Sequence, residues 1–197
     1  MDPPKIQMIE VWAQLYLSGE DSLRVRDFFV SEFGIKPRFV IRNMHITVYH
    51  ARRQMPGVAP MSETAGVVLA ASETRFMVMG PGGENPRPEV DPGQRKVGIR
   101  VHKQSAALPS ILKYRARLLK YETERVLGRR SPSTHRTNAF GARHFQPHMA
   151  ILRAGSGVDH DLKIVGIPFR EALGNLTFDK FAIDIRTRGS SVGTRHT

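Results

Sequence analysis

Along the chain, the hydrophobic positions change between a period of two and a helical period, which predicts alternating strands and helices. Strands are predicted, in chain order, over residues 11–17, 38–50, 75–79, 96–101, 147–153 and 176–186. Helices are predicted over residues 23–33, 108–127 and 168–173. Gly34 and Gly128 follow the two longer helices, where a glycine C-cap is typical. This order of elements predicts an α+β fold.

Two of the predicted strands each carry a histidine inside an apolar run. His45 lies in Met-His-Ile-Thr-Val-Tyr, and His148 lies in Pro-His-Met-Ala-Ile-Leu. Such a run is an unfavourable place for a titratable ring that has no role. Because strand residues alternate between faces, we expect His45, Thr47 and Tyr49 on one face of the first strand. That face is free to line a cleft, while the apolar face packs on the core.

The elements divide the chain into two similar halves. Each half holds one long helix and one histidine strand, which predicts a pseudo-twofold arrangement with helices on one face and histidines on the other. With 197 residues, we expect one domain over 1–197. The Gly-, Ser-, Thr- and Arg-rich tail from about residue 188 is expected to be flexible.

Charge points to the class of partner. Thirty Lys and Arg against 18 Asp and Glu give a formal net charge of +12, which favours polyanions such as RNA or oligonucleotides. No stretch has the length or apolarity of a membrane span, so no membrane partner is expected. Cysteine is absent, which leaves no disulfide framework or thiolate metal site. We therefore expect a cytoplasmic protein, and a monomer.

The two histidine motifs resemble those of the 2H phosphoesterase superfamily, which includes bacterial RNA 2′-5′ ligase/cyclic phosphodiesterase proteins. Its signature is two His-x-Thr/Ser motifs, one per lobe, on facing strands. His45 and Thr47 match the first motif. His148 follows Pro147, as is common in the second, but Ala150 replaces the hydroxyl residue. Over about 8–187, the resemblance implies a bilobal fold of two antiparallel sheets with helices outside and a central cleft.

Two imidazoles facing one phosphate can supply both a general base and a general acid without a metal or another cofactor. The sequence does not assign these roles between His45 and His148. Thr47 would donate a hydrogen bond to the phosphate as its charge grows. Ala150 removes the matching donor, and a hydrogen bond to a charged group is worth roughly 1.5–3 kcal/mol. The remaining candidates to replace that donor are Gln146, Tyr49 and Arg143.

The basic segment 129–146 is the best candidate for substrate specificity. Its arginines, Arg143 among them, would contact flanking phosphates, and Phe140 or Phe145 would stack on a base. The alternative is a solvated loop whose aromatic residues anchor it to the core. Tyr16 and Trp12, on the first strand, are more typical of core residues than of substrate contacts. His50 is out of phase with His45 and is expected at the surface.

The sequence favours a metal-independent phosphodiesterase. Its expected substrates are RNA 2′,3′-cyclic phosphate ends, 2′-5′ linkages or small, linear or cyclic, oligonucleotides. Ala150 supports a rival hypothesis, a degenerate module that binds RNA or a nucleotide without turnover. A basic interaction protein with no cleft chemistry is a third alternative, but it leaves the paired histidine strands unexplained.

Overall fold

The computed structural model describes residues 7–80, 95–126, 128, 145–158 and 162–189. Three α-helices lie within these ranges: α1 (Gly19–Phe33), α2 (Leu108–Tyr121) and α3 (Leu162–Leu173). The strands are β1 (Gln7–Leu17), β2 (His45–Ala51), β3 (Met61–Ala70), β4 (Thr74–Met79), β5 (Lys96–Val101), β6 (His148–Leu152) and β7 (Asn175–Gly189). None of the helices in these ranges is long and apolar enough to cross a membrane.

The strands form one antiparallel sheet in the order β3-β7-β1-β2-β6-β5-β4. The α+β class is therefore confirmed, but the two expected sheets are joined into one. The join is narrow, because β2 and β6 share a single register pair, Ile46 with Met149. Beyond it, the Ile41 amide donates to the Ile151 carbonyl (2.8 Å), and Val40 bridges Leu152. A four-stranded half and a three-stranded half thus meet at the two histidine strands.

The three helices cover one face of the sheet. A row of apolar residues crosses this face on six adjacent strands: Phe76, Ile99, Met149, Ile46, Leu15 and Phe181. Aromatic residues of the helices pack against both ends of the row. Phe29 of α1 and Phe169 of α3 contact Phe76, while Tyr114 of α2 contacts Phe181. The histidines, at alternating positions, therefore lie on the opposite face.

Local signals explain most helix boundaries. The Ser18 side chain accepts a hydrogen bond from the Asp21 amide (3.1 Å) at the start of α1, and Gly34 ends that helix with φ of 62°. α2 ends at Tyr121 and continues as a π-helix over Glu122–Val126. α3 begins six residues earlier than predicted, so that Pro168 lies inside the helix.

One strand was missed by the sequence pattern. In β3, the buried residues Ala65, Val67 and Leu69 do alternate with exposed ones. Its first half is polar, however, and Gly66 interrupts its second half, so that the segment lacks the apolar content typical of a strand. Pairing with β7 along its length supplies the stabilisation that its own residues do not. β7 continues to Gly189, and the rest of the predicted tail lies outside the described residues.

Candidate active site

The two histidine rings are held in the same way. Nδ1 of His45 lies 2.8 Å from the backbone carbonyl oxygen of Asn43, and Nδ1 of His148 lies 3.0 Å from that of Gln146. A carbonyl oxygen can only accept, so Nδ1 carries the proton in each ring. In the neutral rings, Nε2 is therefore the unprotonated atom. Each histidine is oriented by the residue two positions before it and presents Nε2 for chemistry.

The strand register brings the two motifs together. Ile46 pairs with Met149 in an antiparallel ladder. Counted one step to either side of this single pair, Thr47 falls opposite His148 and His45 falls opposite Ala150. All four occupy the face without helices, and each is partly exposed. The histidines are diagonal neighbours, and residues in that relation typically lie about 7–8 Å apart, with their Cβ atoms somewhat closer. That spacing leaves room for a phosphate between the rings.

Each histidine strand carries a β-bulge three residues after its histidine. Gln14 pairs with Thr47 and Ala13 with Tyr49, which leaves Val48 as the extra residue of β2. In the other half, Gly98 pairs with Ala150 and Val97 with Leu152, which leaves Ile151 as the extra residue of β6. The two halves therefore share the same departure from regular pairing at the same distance from each histidine.

The extra residues bond outside the ladder. The carbonyl of Val48 accepts a hydrogen bond from Nη1 of Arg115 on α2 (2.8 Å), and the carbonyl of Ile151 accepts one from the Ile41 amide (2.8 Å). Both bulges are therefore stabilised by neighbouring segments. Burial lowers the pKa of Arg115 to about 10, so this guanidinium is charged at neutral pH. A buried cation thus supports the bulge of β2.

The bulge of β2 corrects the prediction for Tyr49. Strict alternation placed Tyr49 beside His45 and Thr47, but the extra residue Val48 turns it to the helical face. Its side chain is 1% exposed, and its hydroxyl donates to the sulfur of Met55 (3.0 Å). Burial raises the pKa of Tyr49 far above its ordinary value, so the phenol stays neutral. Tyr49 is a core residue and not a substrate contact.

The same bulge returns His50 to the histidine face. Its ring stacks on that of Trp12, with centroids 3.6 Å apart, and its Nε2 lies 3.8 Å from the buried carboxylate of Glu10. Trp12 also donates its indole N–H to Glu10 (3.2 Å). The expectation of a surface role out of phase with His45 was therefore wrong. His50 is a third histidine on this face, held in a stacked and paired position.

Three residues that flank the motifs were not among the predicted site residues. Tyr16 pairs with His45 in the register, and their ring centroids lie 5.5 Å apart. Lys180, next across the sheet, places its ammonium 5.2 Å from the Tyr16 ring centroid. In the other half, Arg100 occupies the corresponding position beside His148. Only strand pairing reveals these neighbours, because they lie far from the motifs in the chain.

The environment favours neutral His45. Burial lowers the pKa of His45, and the positive charges of Arg186 and of protonated His148 lower it further. The Asn43 carbonyl and Asp184 act in the opposite direction without reversing the shift. His45 is therefore unprotonated at neutral pH, as a general base must be.

The remaining predicted residues lie in different places. Gln146 contributes its backbone carbonyl to His148, while its side-chain oxygen is buried and has no hydrogen-bond partner among the described residues. Phe145 lies under Arg115, whose guanidinium is 4.1 Å from the ring centroid. Phe140 and Arg143 lie outside the described residues. Ala150 brings only a methyl group to its position opposite His45.

No group of three or more histidine, aspartate or glutamate side chains within the described ranges could hold a metal ion. In comparisons with known proteins, no family model matches this chain. No curated protein matches it either.

Proposed function

We propose that this protein is a metal-independent phosphodiesterase that uses His45 and His148 as general base and general acid. The expected substrates are RNA 2′,3′-cyclic phosphate ends, 2′-5′ linkages or small, linear or cyclic, oligonucleotides. One observation carries the proposal: two imidazoles on adjacent strands share a face, and each is held through Nδ1 by a carbonyl two residues upstream. Both Nε2 atoms are left for proton transfer.

The reaction requires that one proton is removed from the attacking water and that one proton is donated to the leaving oxygen. Nε2 of neutral His45 accepts a proton from water as the water oxygen bonds to phosphorus. The phosphorus–oxygen bond to the ribose then breaks, and Nε2–H of protonated His148 donates its proton to the leaving oxygen. The products are a phosphate monoester and a free hydroxyl. His45 releases its proton to solvent and His148 takes one up before the next turnover. The lowered pKa of His45 supports this assignment.

The negative charge that develops on the phosphate oxygens is stabilised by hydrogen-bond donors and by cationic side chains. Thr47, opposite His148, is positioned to donate its hydroxyl, and Lys180 and Arg100 flank the pair with positive charge. Ala150 offers no donor opposite His45. Gln146 remains a candidate to replace it if its side chain rotates. The active site is thus asymmetric, with one hydroxyl donor where a symmetric pair would have two.

The finer fold proposal is a bilobal domain of the 2H phosphoesterase type. Its support is the repetition of strand, helix and histidine strand in β1-α1-β2 and β5-α2-β6, each with a bulge at the same position. The narrow join at Ile46 and Met149 lies where the two lobes would meet. The central cleft would then run along the histidine face.

A second candidate function is binding without turnover. It is favoured by Ala150, since loss of one donor to the phosphate slows the reaction by about 10- to 150-fold. A protein that retained the cleft and its cations would still hold RNA or a nucleotide. Ligand binding by such a module would depend on the cationic side chains more than on the two imidazoles.

Turnover in the presence of EDTA separates the two candidates. The panel comprises 2′,3′-cyclic nucleotides, 2′-5′ and 3′-5′ oligoadenylates and cyclic oligonucleotides. We expect cleavage of at least one member, and a loss of at least 100-fold in both His45→Ala and His148→Ala. His50→Ala is the matched control, because it removes a third histidine from the same face. Salt-sensitive binding without cleavage would overturn the enzyme proposal in favour of the binding module.

A further inference from the structure

A cavity of about 620 Å³ opens beside His45, where β1 ends and α1 begins. Tyr16, whose ring contacts His45, lines it, as does Asn43, whose carbonyl holds the His45 ring. Tyr16 and Asn43 therefore border both the cavity and the ring of His45. Its volume is within the range typical of small-ligand sites.

Positive charge dominates the rim of this cavity. Arg26, Arg38 and Arg42 line it, all three are exposed, and the lining contains no acidic residue among those described. Within the described part of the chain, none of the three forms an ion pair. Arginines without carboxylate partners are suited to phosphate groups, which guanidinium binds through paired hydrogen bonds.

The interior of the cavity is apolar. Leu17, Val40 and Met44 form its buried side, and Leu23 is 56% exposed on α1 at its edge. An exposed leucine beside a ring of arginines suits a ligand that is flat and apolar in one part and anionic in another. A nucleobase with its phosphates has this composition, and Tyr16 offers an aromatic ring for stacking.

A smaller cavity of about 300 Å³ occupies the corresponding place in the other half, where β5 ends and α2 begins. It is lined by Leu108 and Leu112 of α2, by Lys103, and by the segment before His148 that includes Gln146. Each histidine therefore has a cavity beside it, bounded by the residue whose carbonyl orients the ring. The cationic charge differs, with three arginines on the His45 side.

We propose that the cavity beside His45 binds a nucleotide unit of the substrate next to the scissile phosphate, with Arg26, Arg38 and Arg42 on its phosphates. This inference rests on the proposed function and specifies the substrate class. With a cavity on each side of the histidine pair, the substrate is an oligonucleotide that is cleaved at an internal linkage. A 2′,3′-cyclic mononucleotide fills the space between the histidines but leaves the cavities empty.

The test compares a 2′-5′ and a 3′-5′ triadenylate with 2′,3′-cyclic AMP as substrates. We expect kcat/KM for one triadenylate to exceed that for the cyclic mononucleotide at least tenfold. In the triple variant R26Q/R38Q/R42Q, this ratio falls at least tenfold, through KM. The control K113Q/K120Q/R170Q removes the same charge from exposed positions on α2 and α3 and keeps the ratio. Circular dichroism checks that both variants fold.

Binding distinguishes failure of this inference from failure of the proposed function. Fluorescence anisotropy measures the affinity of labelled triadenylate for His45→Ala/His148→Ala, with and without the arginine substitutions. If no substrate is cleaved but the arginine substitutions weaken binding at least tenfold, the cavity proposal stands and the enzyme proposal fails. If cleavage depends on the histidines but the arginine and control variants behave alike, the cavity proposal is overturned.

Discussion

At the scale of single residues, the orientation of each imidazole depends on a backbone carbonyl and not on another side chain. Asn43 and Gln146 supply these carbonyls, so their side chains are not needed to fix the tautomers of His45 and His148. A histidine that is oriented by a backbone carbonyl cannot be recognised by a neighbouring carboxylate side chain, as the histidine of a catalytic triad can. The functional signal is the geometry that the backbone imposes.

The charges around His45 predict opposite shifts in the pH profile. His45 must be neutral to act as base, so the acidic limb of kcat/KM falls as the pH drops through its pKa. Because burial, aided by Arg186, lowers that pKa, we expect the limb below pH 6.5. Arg186→Gln removes a positive charge and moves the limb to higher pH, whereas Asp184→Asn moves it to lower pH. Shifts in the same direction would contradict this account.

The hydroxyl at one motif and its absence at the other predict a reciprocal pair of variants. Thr47→Ala is expected to lower kcat by about 10- to 150-fold, since a hydrogen bond to a charged group is lost. Thr47→Ser retains the donor and most of the rate. Ala150→Ser introduces a donor opposite His45 and is expected to raise kcat, by up to about tenfold.

Ala182→Ser serves as the control for Ala150→Ser. Ala182 lies on β7, two strands away from β2, on the same sheet face as the histidines, and is buried, whereas Ala150 is partly exposed. Steady-state kinetics with the best substrate of the panel measures all four variants. An equal response of the two alanine positions would show that the rise at Ala150 does not come from the phosphate.

At the scale of the elements, two β-bulges decide which residues share a face with the histidines. Val48 and Ile151 are ordinary β-branched residues, and nothing in their identity marks them as extra residues in a ladder. The sequence therefore predicted Thr47 on the histidine face but misplaced Tyr49 and His50. A bulge arises from the balance of pairing on both sides of a strand, which one segment does not contain.

The support of the β2 bulge predicts a difference between two arginines on α2. Arg115 is buried, donates to the Val48 carbonyl and neighbours the buried carboxylate of Glu122. Arg115→Met leaves that carbonyl without its donor, while Arg53 still lies 3.9 Å from Glu122, and we expect a cost of about 1.5–3 kcal/mol in the free energy of unfolding. Arg117→Met removes a half-exposed ion pair with Glu63 and is expected to cost about 1 kcal/mol.

Urea unfolding followed by circular dichroism measures the two changes. The matched substitution at neighbouring positions of one helix keeps the loss of helix-forming tendency the same. Equal losses in the two variants would mean that Arg115 does not support the bulge. A loss confined to Arg115→Met would confirm that the histidine strand depends on α2.

At the scale of the whole molecule, the fold concentrates part of the positive charge in one place. The net charge of +12 belongs to the sequence, but Arg26, Arg38 and Arg42 come from α1 and from the segment before β2. Folding places them around one apolar cavity beside His45. Elsewhere, arginines such as Arg24 pair with acidic residues, which offset their charge.

This arrangement predicts the salt dependence of oligonucleotide binding. The logarithm of the affinity for triadenylate is expected to fall linearly with the logarithm of the salt concentration, because bound cations displace counterions. Each arginine in contact with a single strand contributes about 0.7 to the slope. R26Q/R38Q/R42Q is therefore expected to lower the slope by about 2. Anisotropy titrations between 50 and 300 mM KCl measure it, and an unchanged slope would contradict contact with the phosphates.

The sequence by itself determined the class of fold, most of the elements, the placement of His45 and Thr47 on one strand face, the histidine of the second strand, and the excess of positive charge. These follow from local periodicity and composition, which each segment carries independently of the others. The tertiary structure decided that the two halves form one sheet, that bulges move Tyr49 off the histidine face and His50 onto it, and that Tyr16 lies beside His45 next to a cavity lined by three arginines. These features depend on pairing between segments far apart in the chain, and no local pattern encodes them.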